Sequence, residues 1–150
     1  MNNQSYSGFT LIELIVSIGI IATLFTIVLI AINPARQFSL ANNTKRKSDV
    51  HAILNAVQQY IVANGGVLPA GITTSVQTIA KSSGIDMCAD LVRTYIAAFP
   101  VDPLTNNGTT ITDCSSAYST NYMIVRGAAD NRITVSAPAA ELGVVITVTQ

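Results

Sequence analysis

Apolar and polar positions divide the chain into three stretches. Residues 14–32 contain no charge, and only Ser17, Gly19, Thr23 and Thr26 interrupt an otherwise apolar run. About 20 such residues are enough to cross a bilayer as a helix. Asn33-Pro34 punctuates the run. Proline removes a backbone hydrogen bond and crowds the preceding turn, so a kink is expected near residues 30–34. Beyond it, Val50, Ile53, Leu54, Val57, Tyr60 and Ile61 recur at helical spacing and form one face. Asn64-Gly65-Gly66 supplies a stop. The pattern predicts a nearly continuous helix from Phe9 to Asn64, about 84 Å long at ~1.5 Å per residue. Its first half (9–32) is apolar all round, and its continuation (33–66) is amphipathic.

Residues 67–150 read as a small globular head. Residues 75–80 and 88–98 have helical texture. Pro100, Pro103 and Asn106-Asn107-Gly108 mark residues 99–116 as a loop. Three β-rich runs follow, at 121–126, 132–137 and 144–149, with linkers of a length suited to antiparallel hairpins. The expected class is therefore α+β: a long N-terminal helix whose amphipathic half packs on a small antiparallel sheet.

Composition narrows the function. Eight basic and eight acidic residues cancel, so no net field draws the chain to nucleic acid. Only 11% of residues are charged, against roughly 25% in an average soluble domain, as a membrane segment requires. His51 is the sole histidine, and no Ser–His–Asp set, phosphate-cradling loop or metal-spaced cluster is present. No catalytic, cofactor-binding or metal residue is assigned, and catalysis is not expected. Cys88 and Cys114, an even pair in a domain following a membrane segment, are expected to form a disulfide in an oxidising compartment. The Lys/Arg rule alone would keep the head inside, because Arg36, Lys45, Arg46 and Lys47 follow the apolar run. The cysteine pair argues for the head outside, and long domains translocate largely regardless of charge. A cleaved signal peptide is the alternative to an anchor, with a weak site after Ala41, but residues 1–7 lack the basic n-region.

Glu13 is the anomaly. An ionised carboxylate at membrane depth costs at least ~2.5 kcal/mol and is usually paired and functional. It lies within Gly8-Phe9-Thr10-Leu11-Ile12-Glu13-Leu14, after a short polar leader and at the opening of the apolar helix. This arrangement resembles the N-terminus of type IV prepilins and pseudopilins. The resemblance implies a leader at residues 1–8, cut from Phe9 after Gly8 by a prepilin peptidase, and N-methylation of the new Phe9 amine. It also implies that Glu13 pairs with the N-terminal ammonium of a neighbouring subunit in a helical homo-oligomer. A buried charge that is costly until its counter-charge arrives would then select the register of assembly. Precursor and subunit pool would lie in the bacterial inner membrane with the assembly machinery, and the product would be an extracellular pilus or a periplasmic pseudopilus. The leader lacks the basic residues usual in the family, and the membrane half holds Gly19 rather than a proline.

Other signals are weaker. "FPVDPLTNNG" resembles the proline- and aspartate-containing loop of major pseudopilins of type II secretion, with Leu104 where an aromatic usually follows. That resemblance raises calcium as an alternative to a solvated loop, with Asp102, Asp113, Asn106 and Asn107 as hard oxygen ligands; a solvated turn-rich loop is the favoured expectation, and no cofactor is assigned. Lys45-Arg46-Lys47 has no interleaved aromatics and is expected to be a solvated helix face. Asn42-Asn43-Thr44 and Asn107-Gly108-Thr109 fit the glycosylation pattern, which is common by chance. The expected function is a structural filament subunit, with a secretion pseudopilin as the alternative. A DNA-uptake binding pilin is less favoured, because the head after Gly66 has only Lys81, Arg93, Arg126 and Arg132 as basic residues.

Overall fold

The computed structural model describes residues 8–150. Its contacts divide the chain into two units that meet between Phe38 and Ser39.

In the first unit, helix α1 (Leu11–Ile32) starts from a reciprocal cap. The Thr10 hydroxyl accepts from the Glu13 amide, while the Glu13 carboxylate accepts from the Thr10 amide. No residue of α1 is buried by the rest of the chain, and the helix is long and apolar enough to cross a membrane. Its hydroxyls need no water: Ser17 donates to the Glu13 carbonyl, Thr23 to Ile20 and Thr26 to Ala22. The expected kink is a full break. Asn33 adopts a left-handed conformation (φ 47°), which asparagine tolerates better than most residues, and α2 (Pro34–Ala63) begins directly after it. Pro34 thus opens a helix, where its missing N–H is no loss. The single helix expected over residues 9–64 is two helices.

The second unit is the head. Val50, Ile53, Leu54 and Val57 of α2 are buried in one cluster with residues of an antiparallel sheet ordered β1-β2-β3-β4. Its strands are β1 (Gln77–Ala80), β2 (Ser119–Arg126), β3 (Ile133–Ser136) and β4 (Thr147–Thr149). Alternation decides which face is inside: Thr120, Tyr122 and Ile124 of β2, and Ile133 and Val135 of β3, are buried. The three expected strands are present, and β1 is an addition. Residues 75–80 were expected to be helical; instead Gln77–Ala80 pair with β2, Gln77 opposite Ile124 and Thr78 opposite Met123. Short apolar runs do not distinguish helix from strand by spacing, and Thr78 and Ile79 are β-branched. The edge of β2 decides the outcome. A tight return supports it: Ile85 donates to the Thr78 carbonyl and Ala80 to that of Ile85, and a Cβ at Gly84 would collide with Thr78.

The helix expected over 88–98 shortens to α3 (Cys88–Leu91), because Val92 turns extended and Arg93 takes a left-handed φ of 73°. Cys88 is bonded to Cys114, so the expected disulfide is present and closes a separation of 26 residues around this segment.

Lys45-Arg46-Lys47 is not a uniformly solvated face. Lys47 is exposed, but Arg46 is fully buried. Its guanidinium forks onto Asp102 (Nε to Oδ2, 2.6 Å; Nη2 to Oδ1, 3.2 Å) and donates through Nη1 to Glu141 (2.7 Å) and Asn43 (3.0 Å). The Asn43 amide in turn pairs with both the N–H and the carbonyl of Glu141. One side chain thus joins α2, the Pro100–Pro103 loop and the β3–β4 connection. Removing one partner of such a cluster strands a buried charge. Arg46→Ala is expected to lower the unfolding free energy by about 3–5 kcal/mol in chemical denaturation at neutral pH. Hydrogen bonds from Arg46, then Asn42 and Ser39, hold the Glu141 carboxyl below its ordinary 4.5. A depressed folded value contributes stability above the ordinary value and loses it as pH falls through the folded one. Denaturation curves of wild type and Glu141→Gln should therefore differ at pH 7 and draw together as pH falls from 4.5 through the lowered folded value.

Candidate functional site

The chemically distinctive region is the start of α1. Gly8, Phe9 and Thr10 precede the helix, with Thr10 extended (φ −80°, ψ 150°). Phe9 is 83% exposed, and nothing lies within 4 Å of where a Cβ would stand on Gly8. The Gly8–Phe9 peptide bond thus precedes the helix and lies outside its hydrogen bonding. One turn further on, Glu13 Oε2 accepts from Thr10 N (3.0 Å) and Thr10 Oγ1 (2.7 Å). Oε1 has no hydrogen-bond partner among the described residues, and Glu13 forms no ion pair among them. The cap orients the carboxylate, satisfies half of it and supplies no counter-charge. This end of α1 can accept a cation without giving up its cap.

The other candidates are distributed differently. Asp102 is buried on Arg46, whereas Asn106 and Asp113 line a groove of about 610 Å³ that Asp102 does not line. Asp113 is exposed and accepts from Ser115 Oγ, Ser115 N and Ser116 Oγ, which hold it below the ordinary carboxylate range. Of the four residues considered for calcium, Asn106 and Asp113 share this groove and Asp102 does not, and the described residues contain no group of three or more His, Cys, Asp or Glu placed to hold a metal. His51 is exposed. Lys81 donates to the carbonyls of Cys114 and Ser115, on the head's disulfide loop. Asn42, a glycosylation candidate, donates to Glu141, while Asn107 is exposed.

Several important residues had no signal in the sequence. Glu141 and Asn43 meet across 98 positions, and Tyr122 donates to Asp49 (2.7 Å) across 73. Burial, followed by that hydrogen bond, pushes the Tyr122 phenol up.

Residues 3–31 match the family model of the prokaryotic N-terminal methylation motif, the prepilin signature of type IV pilins and pseudopilins. No curated protein and no solved structure matches the chain. The motif match includes Gly8, Phe9, Thr10 and Glu13 and ends within α1, so it speaks for the N-terminus and not for the head. It supports a pilin-like subunit handled by a prepilin peptidase, and with α1 it fits a membrane-anchored precursor. Thr10→Ala removes the hydroxyl from the cap. Losing such a cap costs about 1 kcal/mol, so amide exchange over residues 11–14 should accelerate roughly fivefold in micelles by NMR.

Proposed function

We propose that the chain is a structural subunit of a type IV pilus-like filament, cut between Gly8 and Phe9, methylated at Phe9 and assembled through α1. The observation that carries this reading is Glu13: a carboxylate opening a wholly apolar helix, inside a methylation motif, with no cation partner among the described residues. Cleavage adds water across the Gly8–Phe9 bond and leaves an amine on Phe9, one residue before the cap. Methylation of that amine preserves its positive charge. The ammonium of a neighbouring subunit then approaches Glu13 Oε1, which the cap leaves open. In apolar surroundings an unpaired carboxylate is costly, so the favourable register is the one that pairs every Glu13. The contact is head-to-tail and does not close, as a helical filament requires.

In this reading the precursor and subunit pool reside in the inner membrane. Its partners are the prepilin peptidase and the assembly machinery there, and the disulfide-bonded head lies on the oxidising side. The product is an extracellular pilus. A periplasmic pseudopilus of a secretion system is the second reading, supported by the Pro100–Pro103 loop that Arg46 builds into the head. Filaments visible on the cell surface favour the first reading; export that fails without the protein, with no surface filaments, favours the second.

In cells containing a prepilin peptidase, intact-mass and N-terminal peptide analysis should give a mature chain starting at methylated Phe9. An uncut Met1, or a start at Asn42, would sink the proposal. Glu13→Ala should be processed normally yet leave sheared-filament fractions depleted by tenfold or more, about 1.4 kcal/mol per decade.

A further inference from the structure

A second unpaired charge lies in the head. Among the described residues, Arg126 Nε is the one buried side-chain nitrogen or oxygen without a hydrogen-bond partner. Such orphans are rare in native folds, and a charged donor left unmet is costly. The contrast with Arg46, whose guanidinium has four hydrogen bonds, is direct. Arg126 closes β2 and lines a groove of about 540 Å³ together with Arg132, which opens the approach to β3. Neither guanidinium enters an ion pair among the described residues. The nearest acid in the turn, Asp130, accepts from the Arg132 amide. Gln58 and Asn131 add amide groups to the groove wall, and Ile61 and Leu68 add apolar surface.

We infer that this groove binds the carboxylate of an acidic saccharide. Two guanidiniums match one planar carboxylate, because each presents its donors as a fork. Amides carry both a donor and an acceptor, which suits neighbouring hydroxyls, and the aliphatic side chains suit the C–H face of a sugar ring. A nucleic acid fits less well. Phosphodiester chains are held by a series of cations, and the other two basic residues of the head after Gly66, Lys81 and Arg93, do not line this groove.

The test uses the full chain in detergent micelles, reading the Arg126 Nε–Hε resonance by NMR while sodium glucuronate is added. Saturable shifts are expected with a Kd below about 10 mM, weakened about tenfold or more in Arg132→Gln, whose site is exposed, and unchanged in Lys47→Gln on α2. Arg126→Gln should abolish the effect on the Arg132 resonance, with an unchanged amide spectrum elsewhere showing that the fold is intact. Several outcomes would overturn the inference: no saturation by 50 mM glucuronate (about 1.8 kcal/mol in ΔG of binding), equal response to glucose, or equal binding by Arg132→Gln. Tighter binding of N-acetylglutamate would assign the groove to an acidic peptide. Tighter, steeply salt-dependent binding of a single-stranded oligonucleotide would assign it to nucleic acid. Either result also overturns the saccharide.

Discussion

The head depends on where the Arg46 charge goes. A guanidinium removed from water is tolerable only when its donors are met, and here they reach Asp102, Glu141 and Asn43 from three separate segments. Neither the Pro100–Pro103 loop nor the β3–β4 connection belongs to a regular element at these contacts. Both are held against α2 through hydrogen bonds rather than through the ladder. The hydrogen bond to Asp102 raises the Arg46 pKa further above its ordinary value, which holds the guanidinium in its cationic form. The apolar cluster around Ile53, Leu54, Tyr122 and Val135 supplies the non-directional part of stability. Arg46 supplies the directional part, because its fixed fork of donors meets Asp102 and Glu141 from two separate segments.

Glu13 poses the opposite problem. Both residues carry charge in sites that favour apolar groups, but Arg46 finds its counter-charges inside its own chain. Glu13 finds only the donors of Thr10 among the described residues. A fold that satisfies every charge internally has no electrostatic reason to polymerise. In the proposed filament, a carboxylate left half-satisfied at the mouth of an apolar helix is what draws the external cation. The capping box sharpens that attraction: it fixes the carboxylate in place and occupies Oε2, so the open valence is Oε1. The motif match over residues 3–31 and this geometry bear on the same few residues.

The division between α1 and the head is also a division of chemistry. In α1 each hydroxyl returns to its own backbone, which allows Ser17, Thr23 and Thr26 to sit in hydrocarbon without a partner chain. The head relies instead on long-range contacts, with a disulfide, four strands and a buried ion cluster. Among the buried side-chain donors and acceptors of the described residues, Arg126 Nε is the one without a partner, and Arg126 stands on the wall of a groove.

The sequence alone determined what is local or periodic. An uncharged apolar run is a membrane-length helix in any context, the alternation in residues 121–126 and 132–137 is a half-buried strand, and the motif around Glu13 is contiguous. Chain punctuation was legible too, although Asn33-Pro34 marked the boundary without revealing that proline would start a helix instead of bending one. Tertiary structure decided whatever depended on distant partners. Residues 77–80 became a strand because β2 offered an edge, and the segment after Leu91 left the helical path where Val92 is buried and Arg93 turns. Arg46, which looked like one of three solvated charges, was drawn inside by acids 56 and 95 positions away. Spacing along a chain records the period of a helix or a strand. It carries no record of which charge will meet which, because that depends on the free energy of burying both at once, and only the folded chain brings them together.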